Sequence, residues 1–374
     1  MKALSYIEVD QGAIRHNLEA LKSLCRPDVE VCAVVKANAY GHGLKEVVAA
    51  IGDLVDALAI DDIEELRQLR GLTDQRVILL GYVPRASLDE AIGFGAELAV
   101  YDLQQIEELQ RIVERLGTRA KVHLKIDALL GRQGVLPHQS GEFASAIKAA
   151  RNLELVSAYS HFGNIEDTTD LTHAQLQSDA FEQALTRISE VMPGPIRRHE
   201  SATSGAMAQE SAKSPNTMVR LGIGLYGLYP SPSLSRSFAH LQLKPAMRWI
   251  SHLAQVKELP AHHPVGYGLT YMTSRPTRIG IVPQGYSDGY DRGLSNSAEV
   301  LVGRKRCAVL GRIAMNMFAV DVSQVPDCQA EDEVVLLGRS GEEEISAEEI
   351  AQRIGTINYE VIARVSPTLP RIVV

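Results

Sequence analysis

Residues 55–82 read VDALAIDDIEELRQLRGLTDQRVILLGY, and this stretch decides the fold. VDALAI is a short, mostly apolar run, the pattern of a strand buried on both faces. In DDIEELRQLRG, Leu66 and Leu69 fall at helical spacing. RVILLGY, from Arg76, is a second buried strand. Strand, helix and strand in close succession imply two parallel strands joined by a right-handed crossover.

The same unit repeats on both sides. VCAVV (31–35) precedes it, and AELAVYD follows from Ala96. The helix LQQIEELQRIVERLG places Ile106, Leu109, Ile112, Val113 and Leu116 on one face, with Gly117 as its C-cap. KVHLKID from Lys121, LELVSAYSHF from Leu153, IRRHES from Ile196 and MVRLGIG from Met218 complete the series. About eight such strands close naturally into a (β/α)8 TIM-like barrel, with reactive groups at the C-terminal ends of the strands. An open doubly wound sheet is the alternative.

The pattern changes at residues 228–237, LYPSPSLSRS, a Pro/Ser-rich stretch that reads as a linker. Beyond it, AMRWISHLAQVKEL, TRIGIVPQGY, EVLVGRKRCAVLGRIAMNMFAVDV and DEVVLLG are strand-like. Only ISAEEIAQRIG is clearly helical, with Ser346 and Glu349 in a capping-box pattern. The reading is α/β: a barrel over 1–236 and a mainly-β C-terminal domain over 237–374.

Composition narrows the function. The chain has 374 residues, 45% hydrophobic and 22% charged, with a formal net charge of -8. That balance suits a globular protein and offers no basic face to nucleic acid or to an anionic membrane. No apolar run is long enough to span a membrane, and MKALSYIEVDQG lacks the apolar core of a signal peptide. Cys25, Cys32, Cys307 and Cys328 lack zinc-ligand spacing, so no metal is expected and a cytoplasmic location is.

Lys36 directly follows the five apolar residues of VCAVV. At the end of a buried barrel strand its amine either snorkels to water or enters a site at the barrel mouth as a nucleophile. Two small-residue turns, Ser201-Ala202-Thr203-Ser204-Gly205 and Arg220-Leu221-Gly222-Ile223-Gly224, also follow strands. Amides and hydroxyls in such turns can cradle a phosphate, although most turns of this kind are plain loops.

Residues 34–43, VVKANAYGHG, resemble the pyridoxal-phosphate attachment segment of alanine racemases, and the resemblance runs in order to the C-terminus. It implies pyridoxal 5'-phosphate held by Lys36, with Tyr40 on its phosphate. It assigns further phosphate contacts to Ser204, Gly222, Ile223 and Tyr359. Thr203-Ser204 stands where the family usually has Asn-Ser. In HLKIDALLGRQGV, Arg132 matches an arginine near the cofactor's phenolic oxygen and the substrate carboxylate. Lys125 matches a lysine that is carbamylated in many members and then pairs with that arginine. Ala128-Leu129-Leu130 departs from the family's Thr-Gly-Met, so pocket shape differs there. His161 supports Arg220, which faces the pyridine nitrogen. An arginine cannot readily protonate that nitrogen. A neutral ring is the poorer electron sink, which suppresses transamination and decarboxylation.

The resemblance further implies a homodimer with shared active sites. Tyr267, in VGYGLTY, reaches the partner's site as a second catalytic base opposite Lys36, while Tyr271 is read as core. Two bases on opposite faces of the α-carbon allow racemisation without turning the substrate. Tyr286, Arg292 and Arg312 match an entry corridor, and Met315 matches a residue whose backbone meets the substrate carboxylate. Asn316 stands where the family commonly has aspartate, which opens the way to serine or a broader set of amino acids. The expected activity is alanine racemisation supplying D-alanine for peptidoglycan. The alternatives are a serine or broad-specificity racemase, a barrel-type decarboxylase and a non-catalytic cofactor carrier. Arg220 argues against the decarboxylase and the C-terminal domain against the carrier.

Overall fold

The computed structural model describes residues 3–166, 169–208 and 214–374. The chain opens with strand β1 (Tyr6–Val9). Eight strands then form one sheet: β2 (Glu30–Val34), β3 (Ala57–Ile60), β4 (Val77–Leu79), β5 (Glu97–Val100), β6 (Ala120–Lys125), β7 (Leu153–Tyr159), β8 (Arg197–His199) and β9 (Met218–Leu221). Every pairing is parallel and the order is β8-β7-β6-β5-β4-β3-β2-β9. Two backbone bonds, Thr217 N to Arg198 O at 2.9 Å and Arg220 N to Ser201 O at 3.0 Å, bring the two edges together. This is the expected barrel, and the open-sheet alternative falls.

Two of the barrel helices begin and end where their sequences say. Asp62 accepts from Glu65 N at 2.9 Å ahead of helix Ile63–Arg70, which buries Ile63, Leu66 and Leu69. Asp102 caps helix Leu103–Leu116, and Gly117 ends it in the left-handed region at φ 63°. That helix buries Ile106, Leu109, Ile112 and Val113 against the barrel. Truncating the fully buried Leu109 to alanine is worth about 2–5 kcal/mol.

One local conformation stands out. Ala37, Asn38, Ala39 and Tyr40 have φ of 54°, 53°, 52° and 53°, a left-handed helical turn directly after Lys36. Each L-residue held in that hand costs about 1–2 kcal/mol. Such conformations persist only where tertiary structure over-determines them.

Contacts group the residues into two compact units. One comprises residues 12–37 and 47–244 and contains the barrel. The other comprises residues 1–11, 38–46 and 245–374, so it is not a simple piece beginning at 237. Its strands are β1, β10 (Met247–His252), β11 (Gln255–Leu259), β12 (Pro264–Val265), β13 (Tyr271–Met272), β14 (Thr277–Val282), β15 (Glu299–Val302), β16 (Lys305–Leu310), β17 (Phe318–Asp321), β18 (Glu333–Ser340), β19 (Glu343–Ile345) and β20 (Arg371–Val373). The main sheet runs β11-β14-β17-β16-β15-β18-β10-β1-β20, with β19 on β18. β1 belongs here because Tyr6 to Val9 pair with Ile250 to Met247, and Ile7 to Val9 with Arg371 to Val373.

Residues 228–237 are not an open linker. Leu228 is buried, and Pro232–Ser237 is a helix whose N-cap, Ser231, accepts from Leu234 N at 3.2 Å. Ser followed by Pro is a helix-start signal as well as a loop signal. Ser346 likewise caps helix Ala347–Ile354, but the Glu349 carboxylate turns to Arg306 and Arg353. Cys25, Cys32, Cys307 and Cys328 are thiols, none joined in a disulfide. Among the described residues no helix is long and apolar enough to cross a membrane, and no cluster of side chains is arranged to hold a metal.

Candidate active site

Lys36 lies two residues beyond the end of β2. Its Nζ donates to Asp61 Oδ1 at 2.9 Å, with the two side chains 40% and 50% exposed. The Glu65 carboxylate accepts from Ala37 N at 2.5 Å and Asp61 N at 2.7 Å, tying the residues after β2 and β3 together. Burial raises the Glu65 carboxyl above its usual range. Asp61 and Glu65 escaped the sequence reading. The hint lay in Asp61-Asp62, where only the second aspartate is used up as a cap.

Arg220 is buried at the β9 end, and its guanidinium is well supplied with acceptors. It donates to His199 Nδ1 at 2.6 Å, to the carbonyls of His199 (2.6 Å), Ser160 (2.7 Å) and Glu200 (3.0 Å), and it lies 3.4 Å from His161 Nδ1. It also sits over the Tyr159 ring, 5.3 Å from its centroid. Burial, then the cations Arg220 and Arg132, push His161 down to about 3, so it is a neutral imidazole. Arg220 and His161 are thus neighbours at this end of the barrel.

Lys125 ends β6, is 6% exposed and lies 5.5 Å over the same Tyr159 ring. Its Nζ donates to Gln133 Oε1 at 3.4 Å. Burial, followed by the positive charges of Arg132, Arg220 and Lys36, pushes its ammonium down to about 8. The loop to Arg132 is wound round Asp127, whose carboxylate accepts from Leu130 N (2.9 Å), Gly131 N (3.0 Å) and Arg132 N (3.1 Å). Leu129 takes φ 60° within it and is 53% exposed, and Arg132 is exposed.

The two small-residue turns meet. Thr203 Oγ1 accepts from Gly222 N at 3.0 Å and Gly224 N at 3.4 Å. Ser201 is fully buried and its hydroxyl accepts from Asn216 Nδ2 at 3.1 Å, whereas Ser204 is half-buried. A side chain at Gly224 would lie 2.6 Å from Thr203 Cγ2, and one at Gly205 2.8 Å from Ser201 Oγ. Only glycine permits this approach of the β8 and β9 ends. Lys36, Lys125, His161, Ser204, Arg220, Gly222 and Ile223 therefore all lie at or just beyond the C-terminal ends of strands of one barrel. That end is where such barrels carry their chemistry.

In the second unit, Tyr40 and Tyr359 are half-buried with ring centroids 6.3 Å apart. Tyr267 is 71% exposed on a loop in which Gly266, Gly268 and Leu269 have φ of 74°, 71° and 51°. A side chain at Gly268 would meet the Arg312 guanidinium at 2.9 Å. Tyr267, Arg312, Met315 and Asn316 line one open groove of about 510 Å³. Asn316 Nδ2 donates to Ser287 Oγ at 2.8 Å, and Ser287 Oγ donates to Met315 O at 2.8 Å, beside the 43% exposed Tyr286. Arg292 is exposed at the start of the turn Arg292–Leu294. Tyr271 packs on the cluster of Leu259, Val265 and Ile279, in agreement with its reading as core.

Residues 9–230 match the family described as alanine racemase, N-terminal domain, and residues 246–373 match alanine racemase, C-terminal domain. Alanine racemase 2 of Caldanaerobacter subterraneus subsp. tengcongensis is 36% identical over 370 residues, covering 98% of this chain and 94% of its own. The crystal structure of alanine racemase from D-cycloserine producing Streptomyces lavendulae aligns with a TM-score of 0.93 at 33% identity, over 100% of this chain and 98% of that one. An alanine racemase from Bacillus anthracis with bound L-Ala-P aligns with a TM-score of 0.92 at 30% identity, over 100% and 96%.

Proposed function

Since the chain belongs to the alanine racemase family, we propose that it interconverts L-alanine and D-alanine with pyridoxal 5'-phosphate. The observation that carries this reading is the set of groups at one end of the barrel. A lysine amine, a buried guanidinium and a glycine-lined turn bearing a hydroxyl all lie there. This donor set fits the cofactor: an amine for its aldehyde, a cation that cannot readily protonate its ring nitrogen, and hydroxyl and amide donors for its phosphate. When bound, the cofactor supplies an electron-withdrawing ring that stabilises negative charge on the α-carbon.

In this reading Lys36 attaches the cofactor and moves the α-proton of D-alanine, while Tyr267 of a second copy moves that of L-alanine. The phosphate is held by Ser204, Ile223, Tyr40 and Tyr359. Gly222 adds its amide to that set only by giving up Thr203 Oγ1, which now accepts it. Arg132 meets the substrate carboxylate, and carbamylation of Lys125 would turn a cation that repels Arg132 into an anion that orients it. The barrel portion, 1–236, carries the cofactor cradle apart from Tyr359. The portion 237–374 carries the second base, the backbone contact at Met315 and the corridor residues Tyr286, Arg292 and Arg312. The exposed tyrosine on a strained, glycine-shaped loop supports the homodimer. The enzyme works in the cytoplasm and supplies D-alanine for peptidoglycan.

The test is circular dichroism of L- and D-alanine solutions incubated with the full chain loaded with pyridoxal 5'-phosphate. Both solutions converge on the racemate, and Lys36→Ala abolishes the change. Cofactor binding with decarboxylation, or with no turnover, overturns the reading.

A further inference from the structure

The interior of a barrel of this kind is ordinarily filled with branched apolar side chains. Here β5, β6, β7 and β8 instead contribute Glu97, His123, Ser157 and His199, which are 3%, 0%, 3% and 1% exposed. They form one unbroken hydrogen-bonded file that ends on Arg220. Arg220 lies 2.6 Å from His199 Nδ1, and His199 Nε2 is 2.9 Å from Ser157 Oγ. Ser157 Oγ is 2.6 Å from His123 Nδ1, and His123 Nε2 is 2.9 Å from Glu97 Oε2. Glu97 is clasped by Arg76 through Nε at 2.9 Å and Nη2 at 2.8 Å.

The chemistry of the groups gives the file a single direction. A guanidinium has donors and no acceptor, so His199 Nδ1 must present its lone pair. The His199 proton is then on Nε2 and is donated to Ser157. The serine has one proton to give, and it goes to His123 Nδ1. His123 therefore carries its own proton on Nε2 and donates it to a carboxylate, which can only accept. Reversing the whole file would set two donors face to face at His199 and Arg220, 2.6 Å apart. Burial, and then the Arg220 charge, keep His199 well below its ordinary range, and burial likewise lowers His123. Burial alone would raise Glu97, but the hydrogen bonds from His123 and Arg76 outweigh it and hold its carboxyl at about 2. Stacking with Tyr159, at 4.8 Å and 3° between planes, fixes the His199 ring.

We propose that His199, Ser157, His123 and Glu97 are positioning residues that lock one tautomer of His199 and so hold the Arg220 fork against the cofactor's ring nitrogen. The proposal rests on the reading of Arg220 given above. A file of apolar residues would fill the same space, and replacing buried ionic networks by apolar groups is often neutral or stabilising. What the polar file adds is a fixed acceptor for Arg220 and an aligned run of dipoles leading to the Glu97 anion. Arg220 thereby has an electrostatic counterpart with no carboxylate touching it, which would otherwise compete for the fork. Loosening the file lets the fork drift and the ring nitrogen gain a proton. With the cofactor bound, half-transamination of alanine would then compete with racemisation: the proton taken from the α-carbon would be delivered to the cofactor's former aldehyde carbon, and water would release pyruvate while the amino group stays on the cofactor.

The experiment begins with the wild-type full chain labelled with 15N-histidine, without and with pyridoxal 5'-phosphate. Ring-nitrogen shifts, assigned through His123→Gln and His199→Gln, are expected to show both rings neutral and protonated at Nε2 in each form. Ser157→Ala cuts the file and Ser157→Thr keeps the hydroxyl. Ser157→Ala is expected to disturb the His123 and His199 signals and to lower kcat about 10-fold, the scale of loss for outer-layer partners. The KM for alanine stays within about twofold, since substrate contacts are untouched. Pyruvate released per racemisation rises, and Ser157→Thr restores the wild-type ratio. A proton on Nδ1 of either ring in the wild type overturns the proposal, whether or not the variants fold. So does a folded Ser157→Ala chain with an unchanged pyruvate ratio. Wild-type protein that fails to racemise alanine overturns the proposed function instead, and the apo-protein ring shifts still decide the tautomers.

Discussion

Thr203 Oγ1 accepts the Gly222 N–H at 3.0 Å, and the same oxygen takes the Gly224 N–H at 3.4 Å. One buried hydroxyl thus holds the turn after β9 against the turn after β8. Thr203→Val keeps the shape and leaves two buried amides without this acceptor. It is expected to cost about 1–3 kcal/mol in urea unfolding. Unchanged stability would mean that the turn does not depend on this oxygen.

Lys125 supplies a pH dependence whose sign is fixed. The unfolded lysine keeps its proton up to about 10.5, whereas the folded one loses it above about 8. Between those values the unfolded chain binds more protons, so stability rises with pH, and the penalty is fully present below about 8. The penalty is of order 3 kcal/mol. In carbonate-free buffer at pH 7, Lys125→Met is expected to unfold at higher urea than wild type, by about 1–3 kcal/mol. The gap closes as pH rises through that window. Bicarbonate should close it as well, by converting the wild-type amine to a carbamate, and intact mass under native conditions would report the adduct. A gap independent of both pH and bicarbonate would rule out this account of Lys125.

The barrel was legible because its signals are local. Most of its strands are short apolar runs, and a helix such as Leu103–Leu116 carries its caps in the adjacent residues, Asp102 and Gly117. What escaped depends on distant or collective contacts. β1 pairs with Met247–His252, far along the chain, and nothing in YIEV points there. The turn after Lys36 is left-handed with no glycine at 37–40 to signal it. The polar file had a trace in KVHLK, LVSAY and RRHES, where a histidine or serine sits within a strand. Only the closed barrel shows that these residues face one another. Lys36, Arg220 and Tyr267 stand in the motifs that carry the family resemblance. Asp61 and Glu65, which fasten the residues around Lys36, do not.

Tyr267→Phe removes only a hydroxyl from a side chain that is 71% exposed. The melting temperature should not move. Racemisation should fall by about 10²–10⁴, the usual worth of a proton-transfer group. In deuterium oxide, exchange of the D-alanine α-proton should outlast exchange of the L-enantiomer's. Equal loss for both enantiomers would show that Tyr267 does not serve one face.

Asn316 donates to Ser287 Oγ at 2.8 Å, and that hydroxyl in turn donates to Met315 O. Asn316→Asp turns the donor into an acceptor, so Ser287 must release Met315 O or leave the carboxylate unpaired. The expected outcome is a shift of the serine-to-alanine ratio of kcat/KM toward alanine, by about 3- to 10-fold. An unchanged ratio would detach this residue from specificity.

The turn at Ala37–Tyr40 bears on chirality itself. Its backbone follows the hand that is natural to D-residues, although the ribosome supplied L-residues. An isolated peptide of this sequence would therefore not keep it. A chain assembled by ligation with D-alanine at the exposed position 37 would relieve part of the strain, and the relief would appear as slower unfolding. The segment that follows Lys36 thus carries a mirror-image demand on its own building blocks, in a protein proposed to make the mirror image of alanine.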